Sequence, residues 1–184
     1  LRTLNLSGCA NVTSLDGLQG MPLTDLNCTN CRKITSCAPL RGMPLRRLQL
    51  TDCENLKSLD GLQGMPLTEL NLSGCESLRG DLSSLRGLKL TKLTLDGCQN
   101  LDSINGIEGM QLTELNMQNC WRLSGDLAPL HGMPLTSLNA SRCSNLTSLN
   151  GLQGTPLKTI TLTRCGKILD YTPLAGIKGV EIIR

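Results

Sequence analysis

A cysteine returns at positions 9, 31, 53, 75, 98, 120, 143 and 165, at steps of 22, 22, 22, 23, 22, 23 and 22 residues. A fixed period in this range marks an array of stacked structural units, each unable to bury its apolar side alone. The chain therefore reads as one repeat array over residues 1–184, with units beginning at Leu1, Leu23, Leu45, Leu67, Leu90, Leu112, Leu135 and Leu157. A partial ninth strand is expected near residues 179–184. The array opens inside a repeat and has no polar capping unit at either end, as expected of a piece of a longer chain.

Within each unit the period changes. Leu67, Leu70 and Leu72 bracket Glu69 and Asn71, the alternation of a short strand with one face buried. Val12, Leu15, Leu18 and Met21 then recur every third residue, as do Leu56, Leu59, Leu62 and Met65, which fits tight 3₁₀-like turns better than an α-helix. Glycine closes the unit at Gly20, Gly42, Gly64, Gly87, Gly109, Gly132, Gly154 and Gly176, and proline often follows two residues later. A strand followed by such a return path sets the next strand parallel to the first, about 4.8 Å along the axis. The fourth and sixth units hold one extra residue, in 78–82 and 123–127, expected to widen the turn. With no Phe, one Trp and one Tyr, burial must be aliphatic.

The unit L-x-x-L-x-L-x-x-[N/C]-x-[L/I] resembles the leucine-rich-repeat family in its short 22/23-residue class, with Cys at the Asn/Cys ladder position. The resemblance covers nearly the whole chain. It implies an α/β-type repeat solenoid, a right-handed coil with a parallel β-sheet on the concave face and 3₁₀ or turn segments on the convex face. It also implies a non-enzymatic protein-interaction or scaffold role, and it places the eight periodic cysteines beside a backbone turn in the interior.

Ten cysteines invite a disulfide framework or a metal site. The eight in phase (Cys9, Cys31, Cys53, Cys75, Cys98, Cys120, Cys143, Cys165) read instead as buried structural thiols, small hydrophobes with a weak S–H donor. Cys28 and Cys37 stand where other units carry Leu and read as core substitutions, with a disulfide between them as the alternative. Cys28 and Cys31 have C-x-x-C spacing, but no second pair and no nearby His completes a zinc set. No metal and no cofactor is expected.

Function is expected on the polar strand positions that every unit contributes. One column holds Asn5, Asn27, Gln49, Asn71, Thr94, Asn116, Asn139 and Thr161, expected to bond along the axis as an amide ladder. Its neighbour holds Asp25, Arg47, Glu69, Lys92 and Glu114, alternating in sign, so that facing charges satisfy one another along the stack. Asp25, Arg47, Glu69, Lys92, Glu114, Asn27, Gln49, Asn71 and Asn116 form the candidate interaction surface. Trp121, just past the sixth periodic cysteine, is its one aromatic anchor candidate, or else caps its own widened turn. His131 occupies a variable, solvent-facing slot.

Several classes recede. The net charge of +3 is scattered, lacking the one-sided basic stripe of a nucleic-acid binder. No apolar run spans a membrane. One His and no paired acids leave no base, orienter and stabilised charge together. Six N-x-[S/T] sequons occur, of which Asn11 and Asn145 are better glycosylation acceptors than Asn5, Asn27, Asn71 and Asn139, and they tilt the location towards the extracellular space or cell surface. Expected partners are another protein, or copies of the chain stacked end to end as an extracellular filament or surface layer. A recognition region joined to a catalytic domain beyond these residues is a further alternative.

Overall fold

The computed structural model describes residues 1–184. Nine strands of three residues each, β1 (Thr3–Asn5), β2 (Asp25–Asn27), β3 (Arg47–Gln49), β4 (Glu69–Asn71), β5 (Lys92–Thr94), β6 (Glu114–Asn116), β7 (Ser137–Asn139), β8 (Thr159–Thr161) and β9 (Glu181–Ile183), form one sheet in sequence order. All pairs are parallel and in repeat register, so Leu26 lies beside Leu48 and Leu70 beside Leu93. The central residue of each strand points inward and is fully buried from β2 to β8. The alternation is what makes these segments strands: one apolar residue turns to the core and its polar neighbours turn out.

Eight coils follow, each a strand and its return path. Their interiors merge into a continuous cluster of 55 buried residues, nearly all Leu, Ile, Met and Cys. Tight apolar turns every three residues return the chain, with 3₁₀ segments at Asp16–Leu18, Ala38–Leu40, Ser83–Leu85, Ala128–Leu130 and Thr172–Leu174.

The return paths alternate, which the regular spacing hides. Coils 2, 4, 6 and 8 carry a 3₁₀ turn, whereas coils 3, 5 and 7 do not. In the latter, Gly61, Gly106 and Gly151 adopt φ of 103°, 107° and 104° and press on the coil beneath. A Cβ on Gly106 would overlap the Leu82 carbonyl and the Ser83 nitrogen. The Gly106 amide donates instead to the Glu108 carboxylate at 3.0 Å, as those of Gly61 and Gly151 donate to Gln63 and Gln153, each at 2.8 Å. The structural period is thus a pair of coils, one turned by 3₁₀ geometry and the next laid flat against it.

The extra residues of coils 4 and 6 fall at Gly80 and Gly125, where the chain takes φ of 77° and 87°. Each forms an isolated parallel bridge, to Leu101 and Leu146. Coil 2, without an extra residue, makes the same tie between Ser36 and Ser58, so the widened turn keeps this backbone link to the following coil rather than creating it. Coil 8 departs from the expected punctuation: Gly179 takes positive φ in place of Gly176. Ala175 there stays right-handed after Leu174, carrying the turn further.

Candidate recognition surface

The cysteine column acts between coils. Cys31, Cys53, Cys75, Cys98, Cys120, Cys143 and Cys165 each donate the thiol hydrogen to a carbonyl at the end of the preceding coil's strand segment, at 3.0–3.3 Å. The Leu72 carbonyl, for example, accepts both the Cys75 amide of its own coil and the Cys98 thiol of the next. Both lone pairs are thereby used, which matters because an unpaired buried carbonyl is costly. Burial disfavours the thiolate, and Cys37, Cys53 and Cys98 are pushed up to about 12. Cys28 and Cys37 are free and buried, with no bond between them.

Cys9 is the exception to the expected buried column. It is exposed, and its thiol makes no hydrogen bond.

The asparagine column also departs from expectation. Asn5, Asn27, Asn71, Asn116 and Asn139 do not form a continuous ladder along the axis. Each side-chain oxygen accepts the backbone N–H two residues on, at 2.9–3.1 Å. This Asx turn bends the chain out of the strand towards the cysteine, a local bond preferred to a partner one strand away. Of these amides, Asn139 alone reaches across, donating to Gln118 at 3.1 Å.

In the charge column every facing pair is in register, yet only Arg47 and Asp25 form an ion pair. The Thr24 hydroxyl, with Arg47, holds the Asp25 carboxyl below its ordinary range against a smaller effect of burial. Glu69, Lys92 and Glu114 form no salt bridge, contrary to the expectation of mutual satisfaction along the stack. The gain of an exposed ion pair is small and side-chain ordering opposes it. Two open depressions surround this triad. One of about 250 Å³ is lined by Gln49, Glu69, Leu70, Asn71, Lys92 and Thr94. The other, of about 330 Å³, is lined by Glu69, Thr91, Lys92, Thr113 and Glu114.

Trp121 is exposed, at 47%. Its carbonyl accepts the Asn145 side-chain amide at 2.8 Å. Asn55 and Asn100 bond the coil beneath in the same way, so the turn at Trp121 is tied to the following coil. Asn145, one of the two favoured sequon asparagines, thus has its acceptor nitrogen engaged. Asn11 instead accepts from Lys33 through its oxygen, leaving that nitrogen available. His131 is exposed.

Arg142 and Arg164 were not singled out by the sequence reading. They line a depression of about 350 Å³ with Trp121 and Ser144. The signal for them lies in the residue before each cysteine, which is Gly8, Asn30, Asp52, Gly74, Gly97 and Asn119 until the arginines intervene.

One three-residue parallel strand per coil, stacked in sequence order, defines a β-solenoid of about eight turns. No protein-family model matches the chain, and no curated protein matches it. No helix is long and apolar enough to cross a membrane.

Proposed function

We propose that the chain is a non-enzymatic recognition or scaffold module of leucine-rich-repeat type, binding a protein partner on the concave, strand-bearing face. The observation that carries this reading is the Glu69, Lys92 and Glu114 triad, in register on three adjacent strands without an ion pair among them. Charges left unpaired on a rigid sheet remain available to a partner of complementary pattern, which steers encounter and fixes orientation. The polar depressions on either side fit adaptable hydrogen bonding rather than enclosure of a small apolar ligand.

A photo-crosslinking residue placed at Thr113, on this face, and at Glu108, on the return path, tests the reading in extract of the native source. The proposal expects discrete protein adducts from Thr113 that disappear in the Lys92→Glu variant, and none from Glu108. Equal adducts from both positions, or none from Thr113, overturn it.

A second reading is end-to-end stacking of copies, since every strand pairs with the next in one repeated parallel register that a further copy could continue. Sedimentation separates the two readings, since a monomer at every concentration counts against stacking.

A further inference from the structure

We propose that Trp121, Arg142 and Arg164 form a docking corner for an acidic peptide segment of the partner protein, which rests on the reading of the chain as a protein-recognition module. The two arginines occupy the same slot in coils 7 and 8, about one strand spacing of 4.8 Å apart. That slot is left-handed: Arg142 has φ of 61° and Arg164 of 62°. Coils 1 to 6 fill it only with Gly, Asn or Asp, the residues suited to this backbone, whereas a long side chain there is strained. Two arginines in succession bring no folding advantage to the position, so their use lies in what the side chains reach.

Neither forms an ion pair. The three arginines in ion pairs are Arg32 with Glu54, Arg47 with Asp25, and Arg122 with Asp102. Arg142 makes one long side-chain hydrogen bond, 3.5 Å to the Asn119 oxygen, and Arg164 makes none. Beside them the exposed indole of Trp121 stands on a turn held by Asn145, whose oxygen also accepts from Lys167 at 2.6 Å. The corner is therefore cationic, aromatic and already ordered.

Its chemistry selects the ligand. Guanidinium forks bind carboxylates through paired hydrogen bonds, and an indole covers the apolar part of a neighbouring side chain or peptide plane. The extent of the corner favours a peptide over a polyanion. Two coils span only about 10 Å, and Asp96, two coils before Arg142, would repel a phosphate or sulfate chain continuing along the axis. One or two carboxylates fit; a long anionic backbone does not.

Trp121 is the sole tryptophan, so its fluorescence reports this corner alone. The test titrates the full chain with a blocked peptide of glutamates around a central leucine, beside a heparin fragment and a single-stranded oligonucleotide of equal charge. The proposal expects a saturable peptide-induced change that weakens with added salt. It also expects roughly tenfold or greater loss of affinity in Arg142→Asn/Arg164→Asn. Asn30 and Asn119 already occupy the equivalent slot, so this variant should melt no lower than the parent. Absence of a saturable change, undiminished binding by the double variant, or tighter binding of heparin or the oligonucleotide overturns the corner as a peptide site. Lys92→Glu separates the two proposals: if it abolishes peptide binding while the arginine variant does not, the open sheet face remains a recognition surface and this corner is not one.

Discussion

At the scale of single residues, the thiols and asparagines exchange the roles their spacing suggests. The ladder along the axis is made by sulfur, each thiol donating to the coil beneath, while the asparagines turn their own chain. The cause is position: the cysteine faces the interior over an exposed backbone carbonyl, whereas the asparagine ends a strand whose next amide but one needs an acceptor. Burial raises Cys28, Cys31, Cys37, Cys53, Cys75, Cys98, Cys120, Cys143 and Cys165 above the ordinary thiol value of 9.0. The unfolded chain therefore loses thiol protons first as pH rises, and the stabilisation present below pH 9.0 declines from there towards about 12. Each fully buried thiol contributes a slope of about 1.4 kcal/mol per pH unit in that window. Urea midpoints should stay level between about pH 6 and 8 and fall steeply above 9; a midpoint unchanged to pH 10.5 would contradict burial of the column.

At the scale of the element, one heptapeptide has two structures. Ser-Leu-Asp-Gly-Leu-Gln-Gly occurs at 14–20 and at 58–64. In coil 1 it makes a 3₁₀ turn at Asp16–Leu18; in coil 3 it lies flat, with Gly61 at φ 103° against Cys37 and Ala38. In coil 3 the turn packs on coil 2, whereas Gly17 meets nothing within 4 Å, so tertiary contact overrides local preference. Alanine substitutions should separate these effects in chemical denaturation. Gly106→Ala, strained and overlapping Leu82, should cost about 3 kcal/mol or more. Gly109→Ala, at φ 74° with open space, should cost about 1–2 kcal/mol. Gly17→Ala should be neutral or slightly stabilising, because its φ is not positive and nothing lies within 4 Å. Equal losses at all three positions would mean the coil pairs are not distinct. Strand positions and register were legible in the sequence because alternation with period two fixes which face is buried. The paired-coil period was not, since identical heptapeptides fold differently. Nor was the isolation of Glu69, Lys92 and Glu114, because alternating sign shows that charges face one another and not that they bond. Arg142 and Arg164 were legible only as departures from the Gly, Asn and Asp of their column.

At the scale of the whole molecule, each coil touches only its neighbours, so stability is a sum of coil and interface contributions. The sheet, the thiol ladder and the flat glycine turns all act across those interfaces. Together they tie each strand and turn of the open face to the next coil, which would lower the ordering cost of the binding proposed there. The arrangement stands on the burial of one column. The most direct measurement is a short pulse of a maleimide on native protein, with adducts mapped by peptide mass spectrometry. Of the ten free thiols, Cys9 alone should label at the rate of an unfolded control, and the other nine should stay largely unmodified until denaturant is added. Rapid labelling along Cys53, Cys75, Cys98 and Cys120 would show that the column faces solvent, and the stacked coils described above would be wrong.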